Sequence, residues 1–249
     1  MSQWSYHIPI LGYHRVGAFK GDHVPTVSRE AFERQMTCLA RRGYRVVGLE
    51  DVARALDRRE SGDSRGRHPE SRREMARRSV AITFDDGYEE THSVAWPLLK
   101  RFGFSATVFV TPAEVGWPGF ATWEQVRAMA QDGMVIGSHT MHHSYLPLVQ
   151  PARLPEEIIQ SKQVIEAQIQ RPVRFISYPV GGFTAEVQTV VREAGYLAAC
   201  TTNRVSCVKG MDRYALRRIK VTEGDGNLLL FSAKLSGYYD AFRKLKQPS

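Results

Sequence analysis

Cysteine is scarce in this chain, and long apolar runs are missing. The three cysteines among 249 residues, Cys38, Cys200 and Cys207, cannot all pair with one another, and none stands in a C-x-x-C spacing. That argues against a disulfide scaffold or a thiolate metal site, and for free structural thiols in a reducing compartment. No apolar stretch is long enough to span a bilayer. Residues 1–7 have neither a basic start nor an apolar core, so no signal peptide is expected and a cytoplasmic location is. No internal repeat occurs at a fixed period, which sets solenoids and propellers aside. No nucleic-acid motif accompanies the formal net charge of +8, so nucleic acid is not an expected partner. Histidine does not occur after His143.

What is present reads as one domain over residues 1–249. The hydrophobic share of 43% is that of an ordinary globular protein, and the length suffices for a large core. Strand and helix patterns alternate about seven times with short links. Strands are expected at Ile8–His14, Tyr44–Val47, Val80–Phe84, Phe104–Val110, Met134–Gly137, Val173–Tyr178, Tyr196–Thr201 and Leu216–Val221. Helices are expected from Ser28, with Phe32, Met36, Leu39 and Ala40 on one face, and over Asp51–Leu56, His92–Phe102, Pro155–Gln170 and Thr184–Ala194. Another opens on the capping box Thr122-Trp123-Glu124-Gln125. Such alternation argues a parallel, barrel-like α/β fold.

Two stretches depart from this pattern. Residues 57–79 hold eight arginines and five acids with almost nothing to bury, so a mobile surface insertion is expected there, with His68 solvated. Residues 228–249 set Leu228, Phe231, Leu235 and Phe242 among lysines. That stripe suits an interfacial helix on an anionic membrane or a tail packed on the barrel.

The chemistry concentrates in two clusters. Val80-Ala81-Ile82-Thr83-Phe84-Asp85-Asp86-Gly87 reads as a buried strand ending in two acids and a glycine that lets the chain turn. Adjacent strand side chains point to opposite faces, so Asp85 and Asp86 can take different tasks. Ser138-His139-Thr140-Met141-His142-His143 follows another strand. His139 and His143 are four apart, so one helical turn would put them on one face, with His142 competing for the second place. One carboxylate and two imidazoles make the donor set of a catalytic metal site with room for water and substrate. Zinc is the first choice of ion, and Co2+, Ni2+ and Mn2+ accept the same donors.

Together the two clusters resemble the polysaccharide deacetylase family, the NodB-type carbohydrate esterases of family 4. Thr83-Phe84-Asp85-Asp86-Gly87 is similar to that family's first motif, in which the first Asp is the catalytic base and the second binds the metal. His139-Thr140-Met141-His142-His143 is similar to its second, a His-Ser/Thr-x-x-His pair of ligands. The run His143-Ser144-Tyr145-Leu146 resembles the His-Pro-x-Leu continuation and favours His143 over His142. The resemblance spans roughly residues 8–221. It implies an irregular, incomplete (β/α) barrel with one divalent ion on Asp86, His139 and His143, and Asp85 as base.

Later motifs depart from the pattern. Ser177-Tyr178-Pro179-Val180-Gly181-Gly182 resembles a Tyr-Pro-Tyr-Gly variant of the third motif, which gives the Val180 backbone N–H the oxyanion role. Tyr178, Pro179 and Gly181 are then expected at the substrate. The Arg of that motif, which steers the catalytic Asp, is replaced by Ser177, and Arg174 is the stand-in to test. The late Leu-x-His acid is missing. Tyr13-His14 and Leu216-Arg217-Arg218-Ile219 resemble the exopolysaccharide-modifying branch, which makes His14 the candidate general acid and His142 the second. The expected function is metal-dependent removal of an N-acyl group, acetyl in the first place, from an amino sugar of a polysaccharide, oligosaccharide or lipid-linked glycan, with peripheral contact at the cytoplasmic face of a membrane. The rivals are a deformylase on a formamido sugar, a non-catalytic carbohydrate-binding relative and a two-metal phosphoesterase.

Overall fold

A computed structural model describes residues 8–17, 24–60, 78–202 and 212–236, with the side chains of 57–60 excepted. The elements run β1 (Ile10–Tyr13), β2 (Arg15–Val16), β3 (Thr26–Val27), α1 (Arg29–Arg41), β4 (Arg45–Val46), α2 (Leu49–Glu60), β5 (Ser79–Phe84), α3 (Trp96–Arg101), β6 (Thr107–Val110), α4 (Trp123–Gln131), β7 (Val135–Ser138), α5 (Ser161–Ile169), β8 (Phe175–Ser177), α6 (Ala185–Glu193), β9 (Ala198–Thr201), β10 (Leu216–Arg217), β11 (Ile219–Lys220) and α7 (Leu228–Leu235). Single π-helical turns precede α3, at Thr91–Ala95, and α5, at Glu156–Gln160.

All pairings in the main sheet are parallel, in the order β10-β9-β8-β7-β6-β5-β1-β11, with β4 added on β5. Its two end strands are consecutive in the chain. Leu216 and Arg217 pair with β9, and Ile219 and Lys220 face β1 across the next gap. The segment 216–220 thus nearly closes the sheet into a barrel, and Arg218 stands at the changeover.

Strand side chains alternate between two cores, as the period of two requires. Ile10, Ala81, Phe109, Phe175, Ala198, Cys200 and Leu216 fill the lumen. Their neighbours Leu11, Ile82, Val108, Ile176 and Ala199 pack outward with Phe32 and Met36 of α1, Met129 of α4, Ile165 of α5 and Val191 of α6. Leu49, Val52, Ala53 and Leu56 of α2 join the lumen cluster and plug the end of the barrel where the strands begin. Each such side chain, fully buried, contributes about 1.5–3 kcal/mol. Phe109 is one of two phenylalanines in the lumen, and Gly137 makes room for it: a Cβ there would lie 2.5 Å from the ring.

Helix starts follow their caps. Ser28, Thr122 and Thr184 each accept a backbone N–H at the N-terminus of α1, α4 and α6, and the Thr122–Gln125 capping box is complete. Ala40 is exposed, not inward. α2 runs on to Glu60 and β5 starts at Ser79, so both ends of the expected 57–79 insertion belong to regular elements; its remainder, with His68, lies outside the described residues. Phe231 and Leu235 of α7 are buried, and Arg42 at the end of α1 donates to Ser232 at 2.7 Å. The first half of the C-terminal stripe therefore packs on the barrel, while Phe242 lies outside the described residues. Cys38 and Cys200 are buried free thiols, and Cys207 also lies outside. No helix among the described residues is long and apolar enough to cross a membrane.

Candidate metal centre and active site

Most of the chemistry-bearing residues named above stand where a strand ends, at the mouth opposite the α2 plug. Asp85 and Asp86 follow β5, His139 follows β7, Val180 follows β8 and His14 follows β1. Chemistry at the C-terminal ends of the strands is the rule for such barrels.

Asp86, His139 and His143 converge, with one ligand atom from each lying within 4.8 Å of the others. Both imidazole Nε2 atoms are 3.3 Å from Asp86 Oδ1. That oxygen is buried and has no well-formed hydrogen bond, as a ligand atom would be. His139 Nδ1 lies 2.7 Å from the carbonyl of Ser177. Donating there, Nδ1 carries the proton and Nε2 keeps its lone pair toward Asp86, the arrangement of a metal-ligating histidine. Burial opposes ionisation of Asp86, but the two imidazoles facing it hold its carboxyl far below the usual range. The Asp86 carboxylate raises the His143 imidazole, against its burial. One carboxylate and two imidazole nitrogens directed at one point are a donor set that fits a divalent ion.

The histidines do not meet across a helical turn. Residues 139–145 form a loop in which Thr140 (φ 68°) and His143 (φ 57°) are left-handed, and this brings the two rings to 4.9 Å between centroids. Asp86 (φ 70°) and Val180 (φ 57°) are left-handed too. Of the five described non-glycine residues with positive φ, four are in this site, where stored backbone strain is characteristically found. His142 is not in the cluster: its Nδ1 lies 3.0 Å from Glu157 Oε1.

Asp85 is clamped. Arg218 donates from Nη1 to Oδ1 and from Nη2 to Oδ2, both at 2.6 Å. The same guanidinium reaches Ser177 Oγ at 2.9 Å and Thr83 Oγ1 at 3.2 Å, and lies over the Phe109 ring, 5.6 Å from its centroid. Burial opposes ionisation of Asp85, and Arg218 more than offsets it, so the carboxyl sits below its usual range. Arg218 therefore does what the missing motif Arg would do, and the small Ser177 leaves space for it. Arg174 does not take that role: it sits at the far end of β8 and pairs with Glu50 of α2 at 3.3 Å. Arg218 was legible in one respect. Leu216 faces the lumen, so alternation puts Arg218 on the same face.

His14 Nε2 lies 3.9 Å from Asp85 Oδ2. Its burial lowers the imidazole pKa, with Asp85 and Asp86 pulling the other way. In the turn after β8, Tyr178, Pro179 and Gly181 are buried. Tyr178 stacks on Phe183 and donates to the carbonyl of Tyr214, so its ring is turned into the fold and shapes the turn. Val180 is 75% exposed. Thr201 and Thr202 donate to the carbonyls of Gly181 and Val180 and fix the turn from below.

A near-closed parallel barrel with an acid pair and a histidine pair at its mouth has the layout of a hydrolase site that could hold one divalent ion. The family model "Polysaccharide deacetylase" matches residues 72–199. The YxkH protein of Bacillus subtilis (strain 168) is 30% identical over 217 residues, 87% of this chain and 72% of that one. The poly-beta-1,6-N-acetyl-D-glucosamine N-deacetylase of Staphylococcus aureus (strain MRSA252) is 23% identical over 161 residues, 59% of this chain and 56% of that one. The structure of the Streptococcus pyogenes deacetylase PplD in complex with acetate superimposes with a TM-score of 0.74 at 26% identity, over 90% of this chain and 96% of that one. The chain belongs to the polysaccharide deacetylase family.

Proposed function

We propose that the protein is a metal-dependent N-deacetylase of amino sugars in a glycan. The observation that carries this reading is the convergence of Asp86, His139 and His143 beside an Asp85 clamped by Arg218. A divalent ion on those three residues supplies a Lewis acid and lowers the pKa of a bound water. Asp85 takes the proton of the attacking water. Arg218 holds both its oxygens in place and keeps it ionised, so it starts as a base. The Val180 N–H, carried on a strained left-handed turn, donates to the oxygen that gains charge as the amide carbonyl is attacked. His14, held neutral by burial, receives the proton from Asp85 across the short gap between them and delivers it from Nε2 to the departing amine. Amide hydrolysis then gives acetate and a free amino sugar.

The relatives' substrates support an N-acetylglucosamine polymer as the first to try. The test is acid release from a panel of N-acetylated and N-formylated sugars, free, polymeric and lipid-linked, with and without a chelator. Acetate release that a chelator abolishes and Zn2+ or Co2+ restores is expected. Release unaffected by chelation and by Asp86→Ala would overturn the metal reading, and formate in place of acetate would make the protein a deformylase.

A further inference from the structure

Glu157 is fully buried, yet it is an acid on the π-helical turn before α5. Its carboxylate collects donors from one short stretch of chain. Oε2 accepts the backbone N–H of Met141 and of His142, each at 3.1 Å. Oε1 accepts the Ser144 hydroxyl at 2.8 Å and lies 3.0 Å from His142 Nδ1. The Glu157 carbonyl shares the Met141 N–H at 3.0 Å. Every one of these donors lies between or next to His139 and His143.

The placement matters because the loop is strained where it turns. Thr140 and His143 hold left-handed backbones with side chains that do not favour them. Such conformations persist only where the surroundings over-determine them. A π turn shifts the side chains that follow it relative to a regular helix, and such turns recur at functional sites. Here the π turn carries the carboxylate that gathers the loop. His139 is held independently, by β7 and by Ser177. His143 is partly exposed, and Glu157 holds the stretch on either side of it.

We propose that Glu157 is a positioning residue that fixes the His143 arm of the metal site and so sets metal affinity. The proposal rests on the metal reading above. Buried outer partners of metal ligands are worth about 10–100-fold in affinity. A glutamine at this position keeps the shape but turns N–H groups toward N–H donors, so the loop loses acceptors it cannot replace.

Full-length protein is titrated with Co2+, its affinity read by competition with a chromogenic chelator and its geometry by the visible absorption bands. Glu157→Gln is expected to bind Co2+ about 10–100-fold more weakly, with altered bands, while its metal-free form still unfolds cooperatively. Ser144→Ala, which removes one donor, is expected to lose about two- to tenfold, the worth of one hydrogen bond. A merely structural role would lower the unfolding midpoint and leave affinity and bands unchanged. Wild-type affinity and bands in both variants overturn the proposal, and if Glu157→Gln does not fold, wild-type affinity in Ser144→Ala alone does so. Asp86→Ala is titrated in parallel. If it loses Co2+ while the other two keep it, only the role of Glu157 falls; if it also keeps wild-type affinity, the metal reading falls with it.

Discussion

The site has a lumen half and a loop half, and they are built by different means. Thr83, Asp85, Ser177 and Arg218 sit on strands or at their ends, all buried, and hold one another through a single guanidinium. His143 and Val180 sit in loops, reach solvent, and carry left-handed backbones. In the first half the ladder sets each position to within a residue of register. In the second, position comes from strained turns and from a carboxylate some fifteen residues away. The lumen half can thus keep a carboxylate ionised and dry, while the loop half opens to solvent.

Breaking each half should have different signatures, and four single substitutions rank by expected size. His139→Ala joins the halves' loss: we expect metal affinity to fall at least about 100-fold, beyond the effect of any outer partner, and turnover to vanish, by chelator competition and acetate release. Arg218→Met leaves a buried, unpaired Asp85 and should cost about 3–5 kcal/mol in denaturant unfolding, with turnover lost and the histidine loop intact. The double variant Ser177→Arg with Arg218→Ser moves the cation back to the position of the family motif, and part of that stability should return. No recovery would mean that the two positions are not interchangeable.

His14→Gln should lower kcat about 100-fold, the usual worth of a proton-transfer group, with Co2+ affinity unchanged. It also has a pH signature. Burial depresses the His14 pKa from 6.5, so as pH falls through that value the unfolded chain binds a proton that the folded chain does not. Stability then rises with pH across this window, and His14→Gln should flatten that slope in melts between pH 5 and 7, about the range in which histidine titrates. The smallest effect is expected at Val180→Gly. Relief of a left-handed β-branched residue should raise stability by about 1 kcal/mol, with turnover near wild type because the backbone N–H remains. A large drop in kcat would mean that the Val180 side chain itself touches substrate.

Much of the lumen half was legible in the sequence. The β5 run ending in Asp85 and Asp86 needed only its apolar composition, and the starts of α1, α4 and α6 needed only their caps at Ser28, Thr122 and Thr184. The partner of Asp85 was harder, since Arg218 is 133 residues away and only the parity of Leu216 pointed to it. In the loop half, spacing suggested a helical turn for His139 and His143, but left-handed residues at Thr140 and His143 did the work instead. Glu157 was hidden because it falls beside the apolar stripe of Ile158 and Ile165, where an acid reads as solvent-facing. The partners of the buried Tyr178 ring, Phe183 and the carbonyl of Tyr214, were not legible either, because they lie 5 and 36 residues away.

The seam at residues 216–220 ties the state of Asp85 to closure of the sheet. Arg218 N–H bonds to Thr201 O of β9 at 3.1 Å, and Val221 N–H to Gly12 O of β1 at 3.0 Å. A growing chain makes Asp85 long before it makes the residue that neutralises it. Without the seam, the lumen would hold an unpaired carboxylate, which burial penalises. With it, β1 and β11 are neighbours and Asp85 has its cation. The amide protons of Arg218 and Val221 are therefore a gauge of closure: their exchange with solvent tracks the fraction of molecules in which the seam is open and Asp85 lacks its partner.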